Sequence, residues 1–249
     1  MYKIAICFLL ILSISALSKF KKINIEKNLI TAFLHSVAQI LLLSLIILKL
    51  FQLSSFYTFI ALFFMGLAGA LIADKHGNFI KGTLSITLFS VYISSFSVIA
   101  LMLVLKVIEN KAMVLLPLGG MVIGNAMNSI SLAYDRLKNE LQHGLAYMET
   151  MLSLGFSEKE AYEKLKKNSI KSAMIPKINN MKALGLVWIP GLMAGMILGG
   201  ANPVTAAMYQ LIIIVMIVVS SFISSVIVIE TARKKILNKR GQIIAVIPK

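Results

Sequence analysis

Seven stretches of mostly apolar residues succeed one another along the chain, at 4–20, 29–51, 56–73, 82–105, 113–133, 183–199 and 206–229, separated by polar connections. Each has about the length that carries a helix across a bilayer, and in lipid only a helix or a closed barrel satisfies its own backbone groups. None contains Asp or Glu. All ten acids (Glu26, Asp74, Glu109, Asp135, Glu140, Glu149, Glu158, Glu160, Glu163 and Glu230) fall in the connections or the tail. The pattern predicts an all-α, polytopic membrane protein of about seven transmembrane helices, forming a single domain over 1–249.

Composition agrees with this. In 249 residues, 58% hydrophobic and 14% charged with a mean hydropathy of +0.87, a soluble globule could not cover its apolar atoms, and a disordered chain would be far more polar. The single cysteine, Cys7, excludes a disulfide scaffold and a cysteine-rich zinc module. A net charge of +15 would suggest nucleic acid in a soluble chain, so its distribution matters. With connections assigned alternately to the two sides, 21 of the 25 basic residues fall in 18–28, 74–81, 134–182 and the tail from 230, and the other side receives Lys3, Lys49, Lys106 and Lys111. By the positive-inside rule the first set is cytoplasmic, which predicts an outer N-terminus, an inner C-terminus and no nucleic-acid partner. Residues 1–18 also read as a signal peptide, with Lys3, a short apolar core, and Ser15, Ala16 and Ser18. Cleavage would place the basic connections outside, so this stretch is expected to remain a helix.

The connection 134–182 is too short and too poor in apolar residues to be an independent catalytic domain. Leu137, Leu141, Leu145, Met148 and Leu152 recur at steps of four and three, one face of a helix. Gly155 offers a C-cap, and Ser157 with Glu160 reads as a capping box opening a second helix that carries Ala161 and Leu165. Pro176 is expected to end it. One reading of this helix–Gly–helix is a solvated loop on the membrane surface. The other is a docking element whose apolar ridge enters a groove in a cytoplasmic protein.

No Gly-x-x-x-x-Gly-Lys-Ser/Thr P-loop occurs, so the chain is not expected to hydrolyse ATP alone. His35, His76 and His143 lie far apart with no partner at metal-ligand spacing, and no nucleophile elbow is present. Polar groups inside the apolar stretches are candidate pathway residues, with helix-to-helix hydrogen bonding as the alternative. Asn125 and Asn128 share one face of the fifth stretch, and His35 and Gln39 share one face of the second. Met193 and Met196 offer thioethers to a soft metal ion, or fill core. Gly120–Gly124 and Gly191–Gly195–Gly199 are Gly-x-x-x-Gly steps, suited to tight helix packing or to contact between two copies, and Pro190 can kink its helix.

The ordered blocks Gly124-Asn125-Ala126-Met127-Asn128, Asp135-Arg136-Leu137, Glu149 with Leu154-Gly155, Met174-Ile175-Pro176-Lys177-Ile178-Asn179-Asn180-Met181, Pro190-Gly191-Leu192-Met193-Ala194-Gly195 and Tyr209-Gln210 closely resemble the FetB-type permease family. That family is linked to bacterial iron export and includes plant aluminium-tolerance relatives. The resemblance runs from about residue 25 to residue 237 and is dense from 124 to 210. It implies the inner-membrane subunit of an ATP-binding-cassette exporter, two permeases assembling with two separate FetA-type P-loop ATPases. It places ATP and Mg on those partners and no cofactor on this chain. Glu149, Leu154, Gly155, Ser157 and Glu160 then fall in the ATPase-coupling region, and the cargo is a metal ion, iron, moving outward. Two positions depart from the family: His35 stands where an Arg is common, and Met196 where a Gln is. Both sit near a candidate permeation path, so cargo selection can differ. A secondary metal transporter or channel without an ATPase is the alternative. It calls for intramembrane Asp or Glu, which the seven stretches lack.

Overall fold

A computed structural model of the protein describes residues 2–52 and 54–237. The described residues form eight α-helices and no strand, as the apolar pattern predicts for an all-α membrane protein. They fall into two compact units, Met1–Leu53 and Ser54–Lys249.

The first unit is a helical hairpin of α1 (Tyr2–Phe20) and α2 (Glu26–Phe51). Its turn is closed by Ile23 N–H donating to the Ser18 carbonyl at 2.9 Å and Lys22 N–H to the Lys19 carbonyl at 3.1 Å, with Lys22 in the left-handed region. This is a Schellman stop built without glycine. The Ser18 hydroxyl reaches the Glu26 carboxylate at 3.4 Å and accepts from the Ile25 N–H at 3.2 Å, tying the start of α2 back to the end of α1. Phe8 and Phe33 pack with ring centroids 6.1 Å apart. No residue of α2 is buried, and its outward leucines suit a lipid-facing surface.

The second unit contains α3 (Ser55–Asp74), a 3₁₀ turn (Lys75–Gly77), α4 (Leu84–Val104), α5 (Ala112–Ser153), α6 (Glu158–Ala183), α7 (Gly191–Leu198) and α8 (Pro203–Ile236). Helix α5 is its axis, touching α3, α4, α6 and α8. Val98 and Ile99 of α4, Leu115, Leu118 and Val122 of α5, and Ile213 and Met216 of α8 form one buried cluster with Ile108. Small residues let the helices close up: a Cβ on Gly119 would lie 2.5 Å from Leu62 Cδ2, and one on Gly66 would lie 2.7 Å from Tyr92 Cε1. Buried serines recur along α4 and α8, and four of them, Ser90, Ser94, Ser224 and Ser225, satisfy their hydroxyls on carbonyls of their own helix. Such groups behave as small packing residues rather than as polar bridges.

Five helices are long and apolar enough to cross a membrane: α2, α3 with its 3₁₀ turn, α4, α5 and α8. The apolar part of α1 at Ile6–Phe20 is shorter. The sixth expected stretch, 183–199, is not a spanning helix. Gly185 takes a φ of +79°, an isolated bridge joins Leu184 to Trp188, and Pro190 N-caps the eight-residue α7. A left-handed glycine and a proline five residues apart cannot sit in one regular helix.

Two further expectations change. The fifth stretch and the first helix of 134–182 are one continuous helix, α5, of 42 residues and about 63 Å, twice the ~30 Å of a hydrocarbon core. Pro176 does not end α6, which runs on to Ala183 with the proline inside it. Residue pairs fix α6 antiparallel to α5: Leu165 packs where a Gly144 side chain would point, Asn168 donates to Glu140 at 3.0 Å, and Lys177 donates to Asn125 at 2.6 Å. Helix α6 therefore climbs alongside the apolar half of α5. The segment packed beside the apolar half of α5 is thus the polar α6.

Candidate functional site

The distal end of the α5–α6 pair is a tight hairpin whose turn was legible in the sequence. Gly155, with a φ of +87°, occupies the left-handed position after α5. Its N–H donates to the Leu152 carbonyl and the Phe156 N–H to the Met151 carbonyl, both at 3.1 Å, completing a Schellman motif. Ser157 then caps α6. Its hydroxyl accepts from the Glu160 N–H at 3.3 Å, and the Glu160 carboxylate accepts from the Ser157 N–H at 2.9 Å and from its hydroxyl at 2.7 Å. Those bonds from the Ser157 side chain and backbone hold the Glu160 carboxyl below the usual carboxylate range.

The ridge expected to face a partner is largely consumed inside the chain. Leu137, Leu141 and Met148 are fully buried, as are Ala161 and Leu165 of α6. The first turns of α6, next to the tip, are clamped to α8, where the buried Tyr162 hydroxyl donates to the Ile229 carbonyl at 3.0 Å. Lys166 bridges Glu163 at 2.6 Å and Glu230 at 3.3 Å, and Arg233 approaches Glu158 at 3.6 Å. Glu163 is held below its ordinary range and Lys166 above its own, chiefly by their mutual hydrogen bond. Left outward at the tip are Leu154, 70% exposed, and Phe156, 45% exposed, with Glu149 exposed one turn back. Two large apolar side chains at the end of a polar, braced arm form a small contact point rather than a long ridge.

At the depth of the apolar bundle, Asn125 is the hub. Its Nδ2 donates to the Met121 carbonyl at 2.8 Å, its Oδ1 accepts from Lys177 Nζ, and its carbonyl accepts from the Ser221 hydroxyl of α8 at 3.4 Å. Asn128, one turn on, is exposed. The path of α6 brings Lys177, from the connection 134–182, against Asn125 of the fifth apolar stretch. Lys177 follows Ala161, Leu165, Ser169 and Ala173 at steps of four, all buried on the inner face, and that four-residue step was the available signal.

The other candidate residues lie apart from this hub or on the first unit. His35 and Gln39 are exposed on α2. Met196 lines an apolar pocket of about 320 Å³ with Met113, Val114, Pro117, Leu118, Leu192 and Tyr209, near the start of α5. Met193 is half-buried on α7 and is not among the lining residues. Among the helix-packing glycines, a Cβ on Gly120 would lie 2.8 Å from Met65 Cε, and one on Gly199 would lie beside backbone of α7. Nothing described lies within 4 Å of a Cβ at Gly124, Gly191 or Gly195, and Pro190 is buried at the N-cap of α7. No group of three His, Cys, Asp or Glu side chains is placed to hold a metal ion among the described residues.

Residues 1–237 match the uncharacterised protein family UPF0014. The chain is 26% identical over 242 residues to the probable iron export permease protein FetB of Escherichia coli (strain K12), covering 97% of this chain and 93% of that one. It is 31% identical over 199 residues to the UPF0014 membrane protein YjkA of Bacillus subtilis (strain 168), covering 79% of each. With the Arabidopsis thaliana protein ALUMINUM SENSITIVE 3 it shares 25% identity over 227 residues, 91% of this chain and 83% of that one. No solved structure matches the chain.

Proposed function

The chain belongs to the UPF0014 family of membrane proteins, and from that premise we propose that it is the transmembrane permease subunit of an ATP-binding-cassette exporter that moves iron out of the cytoplasm. The name of the E. coli relative, an iron export permease, supports the cargo and the direction. ATP and Mg²⁺ belong on a separate FetA-type P-loop ATPase, because this chain has no phosphate-binding loop. Two permeases pair with two ATPases in the inner membrane, the α5–α6 hairpin toward the cytoplasm and the N-terminus outside, as the basic residues favour.

The observation that carries this reading is the braced hairpin with Leu154 and Phe156 at its tip. A short apolar protrusion flanked by charge seats in a groove of a partner as an anchor does. Because α5 is unbroken from Ala112 to Ser153, displacement of the tip by the ATPases tilts the segment carrying Gly124, Asn125 and Asn128. The clamp of α6 on α8 through Tyr162, Lys166 and Arg233 moves α8 with it.

The test is co-purification in mild detergent from native membranes. The unmodified chain is expected to retain a P-loop ATPase whose turnover it stimulates. Leu154→Ser with Phe156→Ser is expected to reduce that association about tenfold or more, the loss of a hot-spot contact, while the permease stays folded. An unmodified chain that brings down no P-loop ATPase would sink the proposal.

A further inference from the structure

Lys177 is an ammonium at membrane depth without a counter-charge. It is 7% exposed, its Nζ donates to the neutral Asn125 amide at 2.6 Å, and among the described residues it forms no salt bridge. Its depth is set twice. Asn125 lies in the apolar half of α5, and the same residue's carbonyl meets Ser221, near the middle of α8. An ammonium has three donors, and an unpaired charge at such a depth costs several kcal/mol unless it faces water or finds a partner. Open space lies on α5 at Gly124, the residue before Asn125. No described atom lies within 4 Å of a Cβ at Gly124, and Asn128 is exposed on the following turn of α5. Lys182 lies five residues further along α6, about 7.5 Å by helical rise, and is exposed. The seam thus carries an ammonium and two carboxamides, with open space at Gly124, and no carboxylate lies in the apolar stretches that border it.

We propose that the α5–α6 seam at Lys177, Asn125 and Asn128 is an anion-binding site, and that the cargo crosses the membrane as an anion, the metal enclosed in an anionic chelate rather than as a bare cation. This deepens the exporter reading and rests on it for the word cargo. A positive charge in a low-dielectric path repels a free divalent cation and attracts a carboxylate or phosphate shell. The Asn125 amide holds the ammonium, and a charge-assisted hydrogen bond from Nζ completes the coordination of the anion.

Binding is measured on the purified permease in nanodiscs, which needs no ATPase, with four probes: ferric citrate, citrate, inorganic phosphate and anaerobic ferrous chloride. Ferric citrate is expected to bind and ferrous chloride not to. Citrate or phosphate binding alone shows that the site reads the anion rather than the metal, and also supports the proposal. Lys177→Gln is expected to weaken ferric citrate about tenfold or more, the effect of losing one charge-assisted bond. Lys177→Arg is expected to retain binding. Asn125→Asp supplies an internal carboxylate and is expected to abolish anion binding while the elution profile and Tm show a folded protein. Ferric citrate binding unchanged in both Lys177→Gln and Asn125→Asp, or ferrous ion binding in place of every anion, overturns the proposal. Anion binding through Lys177 without any co-purifying ATPase would refute the exporter and leave the site standing. An associated ATPase with no anion bound would do the reverse.

Discussion

Individual residues divide into those whose neighbours leave no room and those that face an opening. Gly66 belongs to the first kind. A methyl there meets Tyr92, whose hydroxyl donates to the Phe63 carbonyl at 2.9 Å and whose ring stacks on Phe63 at 4.9 Å. The ring cannot retreat without losing both contacts, so Gly66→Ala is expected to destabilise the protein by about 1–3 kcal/mol, the cost of an overpacked site. Gly124 belongs to the second kind, and Gly124→Ala is expected to leave Tm nearly unchanged. Thermal unfolding of the two variants in the same detergent checks the contrast, and equal losses would contradict the assigned packing. Nothing in the sequence separates these glycines, since both lie in apolar runs; what each meets depends on helices distant in the chain.

At the scale of the element, the α5–α6 hairpin is specified locally and oriented globally. Its stop and start are four residues, Gly155, Phe156, Ser157 and Glu160, acting through bonds to near neighbours. Ser157→Ala removes the cap and is expected to cost about 1 kcal/mol, read as faster hydrogen exchange in the first turn of α6. Glu160 adds a pH dependence. Its folded carboxyl is held low, so its contribution is present above the ordinary glutamate pKa and lost as pH falls through the lower folded value. Exchange in that turn is therefore expected to accelerate on acidification in the unmodified protein, and that acid response to shrink in Ser157→Ala. The periodic leucines of α5 mark a face correctly, but periodicity cannot say what covers it. Here α6 does, and the surface left to a partner shrinks to Leu154 and Phe156.

At the scale of the whole molecule, the route of α6 decides what the polar residues face. If α6 returns alongside the apolar half of α5, position 154 and position 186 lie on opposite sides of the membrane. With Cys7 replaced by Ser, Leu154→Cys and Leu186→Cys are expected to react with an impermeant thiol reagent from opposite faces of right-side-out and inverted vesicles; both residues are exposed. Labelling of both from one face would overturn the path given to α6. The amino-acid sequence by itself determined the all-helical class, because lipid leaves the backbone no other open form. It also determined the hairpin turn, because capping is a matter of residues within one turn of each other. What only the tertiary structure decided is which segment packs beside the apolar half of α5. Hydropathy selects the apolar 183–199, yet Gly185 and Pro190 break it, and the polar α6 packs there instead because α5 and α8 cover its inner face. Burial against protein, unlike burial in lipid, tolerates a lysine beside an asparagine, and no reading along the chain reveals which of the two a residue will meet.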